Sequence, residues 1–371
     1  MKFIHCSDTH LGYSEYHKID PSTGINQREQ DFYRAWGHLI DAILAHQPDF
    51  VIHAGDLFHT TRPSNRAIAV ALEGIQRVSD VGIPFIMISG NHSTPKIRAT
   101  GSIFESIALF PNVFAAFQSR YQRFHVHHCE IHCIPHCSLT EQLQAAFHEI
   151  TPIQKSDYQI LVTHGAWAGQ KVFSMGEFNE QRLPDLEQVT DIRFDYVALG
   201  HYHKHIQIKP HIVYCGATER TSFHEADNPT GYVLVDTEAN KIDYHPLPSR
   251  PMIKLEPIDC RDLTAAEIYD ELAKRSTETM QDALVSLVLV NVQHQTLIKL
   301  DSREIDEIFP QVFYLNKSIS QQIEPSGAAK LSSELGTVPV EFERYIETLA
   351  ESELDRDRLK RLGLEYLTRE A

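Results

Sequence analysis

Cysteine, unbroken apolar stretches and positive charge are all in short supply in this chain of 371 residues. Its six cysteines are scattered, too few and too dispersed for the disulfide framework that holds small secreted domains together. No apolar run approaches the roughly 20 residues that a membrane-spanning helix needs. Lys and Arg number 34 against 50 Asp and Glu, a net charge of -16. Such a balance argues against a generally adhesive nucleic-acid surface, because affinity for phosphate backbones comes largely from Lys and Arg displacing counterions. A nucleic-acid substrate would need a local basic contact or a partner that supplies one. Met1 leads directly into the strand-like Lys2-Phe3-Ile4-His5-Cys6, with no basic segment, apolar stretch and cleavage site in succession. The expectation is therefore a soluble cytoplasmic protein with reduced thiols.

What is present is histidine, 22 of them, and imidazole is both a common metal ligand and a near-neutral acid or base. The length implies one large domain with smaller appendages. Up to residue 250 or so, short apolar runs alternate with helical patterns, the habit of a layered α/β domain. Predicted strands are Lys2 to Cys6, Phe50 to His53, Pro84 to Ser89, Tyr158 to Thr163, Tyr196 to Leu199, Ile212 to Cys215 and Gly231 to Asp236. Between them, Phe32, Ala35, Trp36, Leu39, Ile40 and Ile43 recur at helical spacing. A second helix, N-capped by Ser64, carries Ile68, Ala71, Leu72, Ile75 and Val78 on one stripe. After Pro248 and Pro251 the pattern restarts as strand (Met252 to Ile258), helix (Thr264 to Arg275), strand (Leu284 to Val292), helix (Ser302 to Phe309) and strand (Val312 to Asn316). This predicts domains at residues 1–250 and 251–319. A linker at 320–338, rich in Ser, Gly, Gln and Pro, and a helical segment at 339–371 complete the chain. The apolar positions of that segment, among them Phe342, Ile346, Leu359 and Leu362, are buried either on this protein or on a partner.

Five short motifs sit at or just after predicted strand ends, where an open α/β sheet places its ligand crevice. They are Asp8-Thr9-His10, Gly55-Asp56-Leu57-Phe58-His59, Gly90-Asn91-His92, Thr163-His164-Gly165 and Gly200-His201-Tyr202-His203. Asp8, His10, Asp56, Asn91, His164, His201 and His203 together supply oxygen and nitrogen ligands and no thiolate. That set suits a pair of divalent cations of the manganese, iron or zinc kind. Strand alternation predicts that Asp8 and His10 point the same way, as do His201 and His203. Asp56, a carboxylate with two oxygens, is suited to lie between the cations. Two such cations can bind a phosphate, lower the pKa of an attacking water and stabilise charge in an in-line attack, which predicts phosphate ester cleavage.

These motifs resemble those of the calcineurin-like metallophosphoesterases and, within them, the SbcD-type nuclease subunit of double-strand-break repair complexes. The narrower likeness rests on His5-Cys6-Ser7-Asp8-Thr9-His10-Leu11-Gly12, Arg28-Glu29-Gln30-Asp31-Phe32, Gly55 to His59 and Leu199 to Lys204. Gly216-Ala217-Thr218-Glu219-Arg220 and the strand Gly231 to Asp236 add to it. The resemblance covers residues 1 to 250 well and the remainder in layout only. It implies a two-sheet sandwich flanked by helices, with a small α/β capping domain and a C-terminal helical tail. It implies one metal on Asp8, His10, Asp56 and His203 and another on Asp56, Asn91, His164 and His201, with manganese as the ion. His92 would contact the scissile phosphate or protonate the leaving oxygen, assisted by His59. The implied activity is that of a DNA nuclease, a 3'-5' exonuclease and endonuclease, working with an SbcC-type coiled-coil ABC ATPase that binds the tail helices. Homodimerisation through the helices at Ser64 to Val78 and Ile97 to Leu109 is also implied. Ser93 departs from the family, which usually has an acidic residue after the Asn-His pair, and that puts the orientation of His92 in question. The alternative is a small-molecule phosphodiesterase or phosphoprotein phosphatase using the same dimetal site.

Lys96, Arg98, Lys171 and Lys204 follow the motifs on what should be loops. They are either solvated surface charges or contacts to a DNA backbone. His5 and His53 lie inside apolar strands and are expected to be buried and hydrogen-bonded. The segment His125 to Cys137 holds Cys129, Cys133 and Cys137 among five histidines, but its spacing does not match a zinc knuckle, and the alternation through His132, Ile134 and His136 suits a strand.

Overall fold

The structure, a computed structural model, describes residues 1–95, 101–150, 158–167, 181–185, 193–321, 342–343, 345–347 and 355–369. In chain order the first elements are β1 (Lys2–Cys6), α1 (Gln27–His46), β2 (Phe50–His53), α2 (Asn65–Asp80), β3 (Phe85–Ile88), α3 (Phe104–Ile107) and β4 (Val113–Ala116). There follow β5 (Gln122–Val126), β6 (Cys129–Ile134), α4 (Thr140–His148), β7 (Tyr158–His164), β8 (Tyr196–Gly200), β9 (Ile206–Lys209), β10 (Ile212–Tyr214), β11 (Gly231–Asp236) and β12 (Lys241–Pro246). They build two six-stranded sheets, ordered β12-β11-β1-β2-β3-β4 and β5-β6-β7-β8-β10-β9.

The alternation of side chains along each strand explains why both faces are apolar. Phe3, Phe50, Ile52, Ile86 and Ile88 point inward and meet Ile131, Cys133, Ile160, Val162 and Ala198 of the other sheet. Their neighbours Ile4, Val51, Phe85 and Met87 point outward, beneath Trp36, Leu39 and Ile43 of α1 and Ile75 and Val78 of α2. On the far side Leu161, Val197 and Leu199 pack under Leu143 and Phe147 of α4. The result is the expected two-sheet sandwich flanked by helices. Asn26 caps α1 by accepting from the Arg28 N–H at 2.8 Å, and Ser64 caps α2 by accepting from the Ala67 N–H at 3.1 Å.

The third sheet contains β13 (Met252–Lys254), β14 (Ile258–Asp259), β15 (Leu284–Val292) and β16 (Tyr314–Gln321), every pairing parallel to β15. It has its own apolar cluster, in which Ile268 and Leu272 of α5 (Ala265–Arg275) cover Val285, Leu287 and Leu289 beside Ile305 of α7 (Ser302–Ile308). The short α6 (His294–Leu297) intervenes. The strand predicted over Met252 to Ile258 is broken in two, with Pro257, which has no N–H to donate, just before β14. The last strand runs on to Gln321 along β15, so Ser320 and Gln321, read as linker, are strand. Residues 96–100, where the predicted helix Ile97 to Leu109 begins, lie outside the described residues; within 101–109 the helix is confined to α3, and Gly101 has a left-handed φ of 69°.

Met1–Gln321 form one compact unit and Gln322–Ala371 a second. In the second, α8 (Arg356–Arg369) carries Gly363 so close to Phe342 that a Cβ there would collide with its ring. Lys360 pairs with Glu347 at 3.2 Å and Glu343 at 3.6 Å. Residues 322–338 of the expected linker lie outside the described residues. Among those described, no helix is long and apolar enough to cross a membrane.

A buried ionic network ties the third sheet to the sandwich. Arg28, fully buried at the start of α1, donates to Asp31 at 2.9 Å, to Glu219 at 3.2 Å and to the Arg220 carbonyl. Arg250, just before β13, grips the same Asp31 with two bonds of 2.6 and 2.9 Å, reaches Asp282 at 2.5 Å and lies over the Phe313 ring. Removing one partner of such a buried pair strands the other charge and costs about 3–5 kcal/mol. Arg28→Met should therefore lower unfolding stability by that order in urea titrations. Arg34→Ala, which removes a half-exposed partner of the same Asp31, should cost under about 1 kcal/mol. Equal losses for the two variants would show that burial of the network contributes nothing.

Candidate metal centre

The parallel ladder between β1 and β2 does not stop where the strands do. Asp8 N–H donates to the Gly55 carbonyl at 3.0 Å, His10 N–H to Asp56 at 3.0 Å and Leu11 N–H to Leu57 at 2.9 Å. Two ligand-bearing loops are thereby zipped together. Asp8, His10 and Asp56 have left-handed φ angles of 52°, 44° and 55°, and His201 one of 101°. Such conformations in residues other than glycine cost of order 1–3 kcal/mol and cluster at functional sites. The paired orientation of Asp8 with His10 thus comes from turned loop backbone and not, as the sequence suggested, from strand alternation. A Cβ on Gly55 would collide with the His164 ring, and one on Gly90 with the Asp56 carboxylate. Glycine at these two positions lets the loops close on one another.

Three groups of side chains converge so that their ligand atoms lie within 4.8 Å of one another: Asp8, His10 and His203; Asp8, Asp56 and His164; and His10, His59 and His92. His10 Nε2 lies 2.9 Å from His203 Nε2. His164 Nε2 lies 2.9 Å from Asn91 Oδ1 and 3.2 Å from Asp56. His201 is placed by its ring, 5.3 Å from that of His164, and by its N–H, which donates to both Asp8 oxygens at 3.1 and 3.0 Å. All seven residues expected as ligands are therefore brought together. Asp8 is the carboxylate common to two groups, and Asp56 belongs to one of them.

The surroundings decide which ring nitrogens face inward. His164 donates Nδ1–H to the Ala54 carbonyl at 2.9 Å, and His203 donates Nδ1–H to Glu225 at 2.9 Å, so each presents Nε2 to the centre. Glu225, in the 3-10 turn Phe223–Glu225, is itself held by the N–H and hydroxyl of Thr221 at 2.7 and 2.8 Å. It escaped the sequence reading because a carboxylate on a turn far from any motif carries no spacing signal. His92 donates Nδ1–H to the His59 carbonyl at 2.8 Å, its ring stacks on His59 at 5.1 Å, and its backbone N–H donates to Asp56 at 2.9 Å. Ser93 is buried and donates to the Phe58 carbonyl at 3.3 Å, a bond that a carboxylate could not make. The His59 carbonyl orients the His92 ring, and Ser93 ties the same loop to Phe58.

Charge follows this packing. Burial pushes the Asp8 carboxyl up. Burial works the same way on Asp56, but His164, His10 and His92 together outweigh it and hold Asp56 well below the carboxylate range. Burial disfavours a charged His164, yet the Asp56 carboxylate lifts it to about 9. His203 is also raised to about 9, against burial, by Glu225. Burial drives His201 down to about 3 and, with His92 adding to it, His59 down to about 4. The donor set of carboxylates, imidazoles and an amide, with every described cysteine outside the three groups, fits divalent cations of intermediate hardness.

The other expected features sort clearly. Lys204 is exposed beside His203, whereas Lys96, Arg98 and Lys171 lie outside the described residues. His5 bonds the Tyr196 hydroxyl at 3.0 Å and His53 the Thr9 hydroxyl at 3.1 Å, both buried. In the segment His125 to Cys137, His132 is held between Tyr121 and Gln159 at 2.8 Å each and His125 by Glu130 at 2.9 Å. Among the described residues, no group able to hold a metal includes them.

A helix-flanked two-sheet sandwich with Asp, Asn and His gathered at its strand ends defines a metallophosphoesterase architecture. The calcineurin-like phosphoesterase model matches residues 1–205, and the chain belongs to that family. It is 29% identical over 300 residues to the DNA double-strand break repair protein Mre11 of Haloferax volcanii, covering 78% of this chain and 61% of that protein. The Mre11 of Methanococcus maripaludis is 40% identical over 104 residues, 28% of this chain and 26% of that protein. That of Thermoplasma acidophilum is 29% identical over 267 residues, 68% and 67% of the two chains. The chain thus spans less than two thirds of the length of the first two relatives.

Because His164 and His203 hold protons up to about pH 9 in the metal-free protein, a cation must displace them. Titrating EDTA-treated protein with manganese in weak buffer should release protons, and binding should tighten as pH rises toward 9. The same raised values mean that their contribution to stability is whole below the ordinary 6.5 and lost as pH rises through about 9. The melting temperature of the metal-free protein should fall across that window. Manganese binding that released no protons and did not vary with pH would contradict both protonation states.

Proposed function

We propose that this chain is a two-metal-dependent DNA nuclease, a 3'-5' exonuclease and endonuclease, that processes DNA ends together with an SbcC-type coiled-coil ABC ATPase. The observation that carries this reading is the seating of His92, oriented by the His59 carbonyl, above the convergent carboxylates and imidazoles. The similarity to Mre11 repair proteins supports DNA as the substrate. Asp8, His10, Asp56, Asn91, His164, His201 and His203 would hold two divalent cations, manganese in particular. When bound, these would polarise the phosphate and lower the pKa of the attacking water. His92 contacts the scissile phosphate or delivers a proton to the leaving oxygen, and His59 steadies it from below.

Residues 251–321 serve as a capping domain over the site, 322–338 as the linker, and 339–371 as the segment that docks on the ATPase. Leu359 and Leu362 on α8 are exposed, in keeping with an amphipathic helix that buries its face on a partner. Homodimerisation would use α2, whose Ile68 and Leu72 are only partly buried. The ATPase would compensate for the acidic net charge. Lys96, Arg98, Lys171 and Lys204 would touch the DNA backbone, and the site of action would be the cytoplasm.

The test is incubation of EDTA-treated, manganese-reloaded protein with labelled linear DNA, wild type beside His92→Ala. Wild type should cut in a manganese-dependent manner, and the variant should lose roughly 100-fold or more in rate while retaining its manganese. No cleavage of DNA, with turnover of a cyclic nucleotide or phosphopeptide instead, would favour a small-molecule phosphodiesterase or phosphatase. Lys204→Ala should lower the salt slope of DNA binding by about one.

A further inference from the structure

His136 stands two residues beyond the end of β6, between the two sheets. Its N–H donates to the Ser89 carbonyl at 2.9 Å, at the end of β3 and two residues before Asn91. Its carbonyl accepts from the Ser119 hydroxyl at 3.2 Å. The next N–H, of Cys137, donates to Gln181 at 2.6 Å, and Gln181 in turn donates to the His164 carbonyl at 2.9 Å. The backbone at His136 is thus tied on one side to the loop that carries Asn91 and His92, and on the other to the strand that carries His164. Firm support of this kind is what a working side chain requires.

The side chain itself is not satisfied. Its ring makes no hydrogen bond among the described residues, and Nδ1 is shielded from solvent without a partner. Buried polar groups almost always find partners, so an exception calls for a cause. The ring as a whole keeps partial exposure, which places its open edge on the Nε2 side. An unpartnered N–H is rarer in protein interiors than an under-used acceptor, so the proton belongs on Nε2, and the ring offers one neutral donor at that edge. Its electrostatic neighbours are His164, Asp56 and His92, and it is among the groups felt by His201. It belongs to none of the groups able to hold a metal.

We propose that His136 is a substrate-binding residue that donates Nε2–H to a non-bridging oxygen of the phosphoester at this centre. The inference rests on the phosphoesterase reading above and adds a donor at the Asn91–His164 end of the site, independent of the His92 and His59 pair.

The experiment compares His136→Ala and His136→Gln with wild type, each loaded with manganese and freed of excess. Manganese content by elemental analysis, affinity for orthophosphate by calorimetry, and kcat and KM on bis(p-nitrophenyl) phosphate and labelled DNA are measured. His136→Ala should keep its manganese and lose about tenfold or more in orthophosphate affinity, as expected for one hydrogen bond to a charged acceptor, with KM rising in step. His136→Gln, whose amide N–H can still donate, should recover part of both and keeps the test open if the alanine variant folds poorly. Unchanged phosphate affinity in both variants would overturn the proposal, and so would loss of a manganese ion, which would make His136 a ligand. Wild type that binds manganese and orthophosphate but leaves DNA intact would defeat the nuclease reading alone. Wild type that cuts DNA, beside variants equal to it, would defeat this inference alone.

Discussion

Two carboxylates, Asp8 and Asp56, are buried within a few ångströms of each other, with exposures of 0% and 2%, and the rest of the site is organised around neutralising them. Isolated buried charge is costly, so each oxygen must be met by a donor or a cation. Asp8 receives the Ser7 hydroxyl and the His201 N–H, and Asp56 receives the His92 N–H and the His164 imidazole. These donors come from both sheets. The ends of β1, β2 and β3 therefore have to face the ends of β7 and β8, and the loops between must adopt the strained left-handed turns that bring them there. The sandwich core fixes the two sheets, but the charge compensation fixes their common rim.

That logic explains which parts were legible in the sequence. The five motifs could be read because each places its ligand immediately after an apolar strand, and a strand of that kind is visible as a short run of Phe, Val and Ile. β1, β2 and β11 match their predicted bounds for the same reason. Strands at the edges could not be read. β5 and β9 alternate Gln, Arg, His and Lys with single apolar residues because one face of each is wet, and β12 is partly exposed along its whole length, so no continuous run exists to be seen. Glu225 and His136 were invisible as site residues for a different reason. Both reach the centre through tertiary placement, one on a 3-10 turn and one past a strand end, and neither has a partner at motif spacing. The bond that orients the His92 ring could not be read from the sequence because its acceptor is a main-chain carbonyl, which any residue at position 59 would provide.

The third sheet and the centre are joined by side chains that the motifs do not include. Tyr13 packs its ring 5.0 Å from His59 and donates its hydroxyl to the Thr221 carbonyl, in the same turn that holds Glu225. Tyr16 lies against Tyr314 of β16 at 4.4 Å. With Arg250 fastened to Asp31 of α1, the third sheet is anchored to the sandwich at the head of β13 and again through the Tyr16 loop. A shift of that sheet would be felt at His59 through one short stretch of chain, and at His203 through Thr221 and Glu225. The buried ionic network thus does more than hold two sheets together, since it sets the seat from which His59 and His203 are supported.

The acidic surface bears on how such a site would take a polyanion. In the metal-free protein the protonated His164 and His203 are offset by the Asp56 carboxylate and by Glu225, which holds the His203 proton, so the centre carries no net positive charge. On the two-metal reading, cations would displace those protons, and their four positive charges would exceed the three carboxylates Asp8, Asp56 and Glu225 and leave the pocket positive. Charges elsewhere on the surface are screened over roughly 8–10 Å at physiological ionic strength, so a phosphate already at the rim would feel the pocket more than the protein's net charge of -16. Metal loading would then serve binding as well as chemistry, since without it the centre offers a phosphate no net attraction. On that reading an acidic surface would discourage indiscriminate binding of polyanions and confine the attraction for phosphate to the metal-loaded pocket.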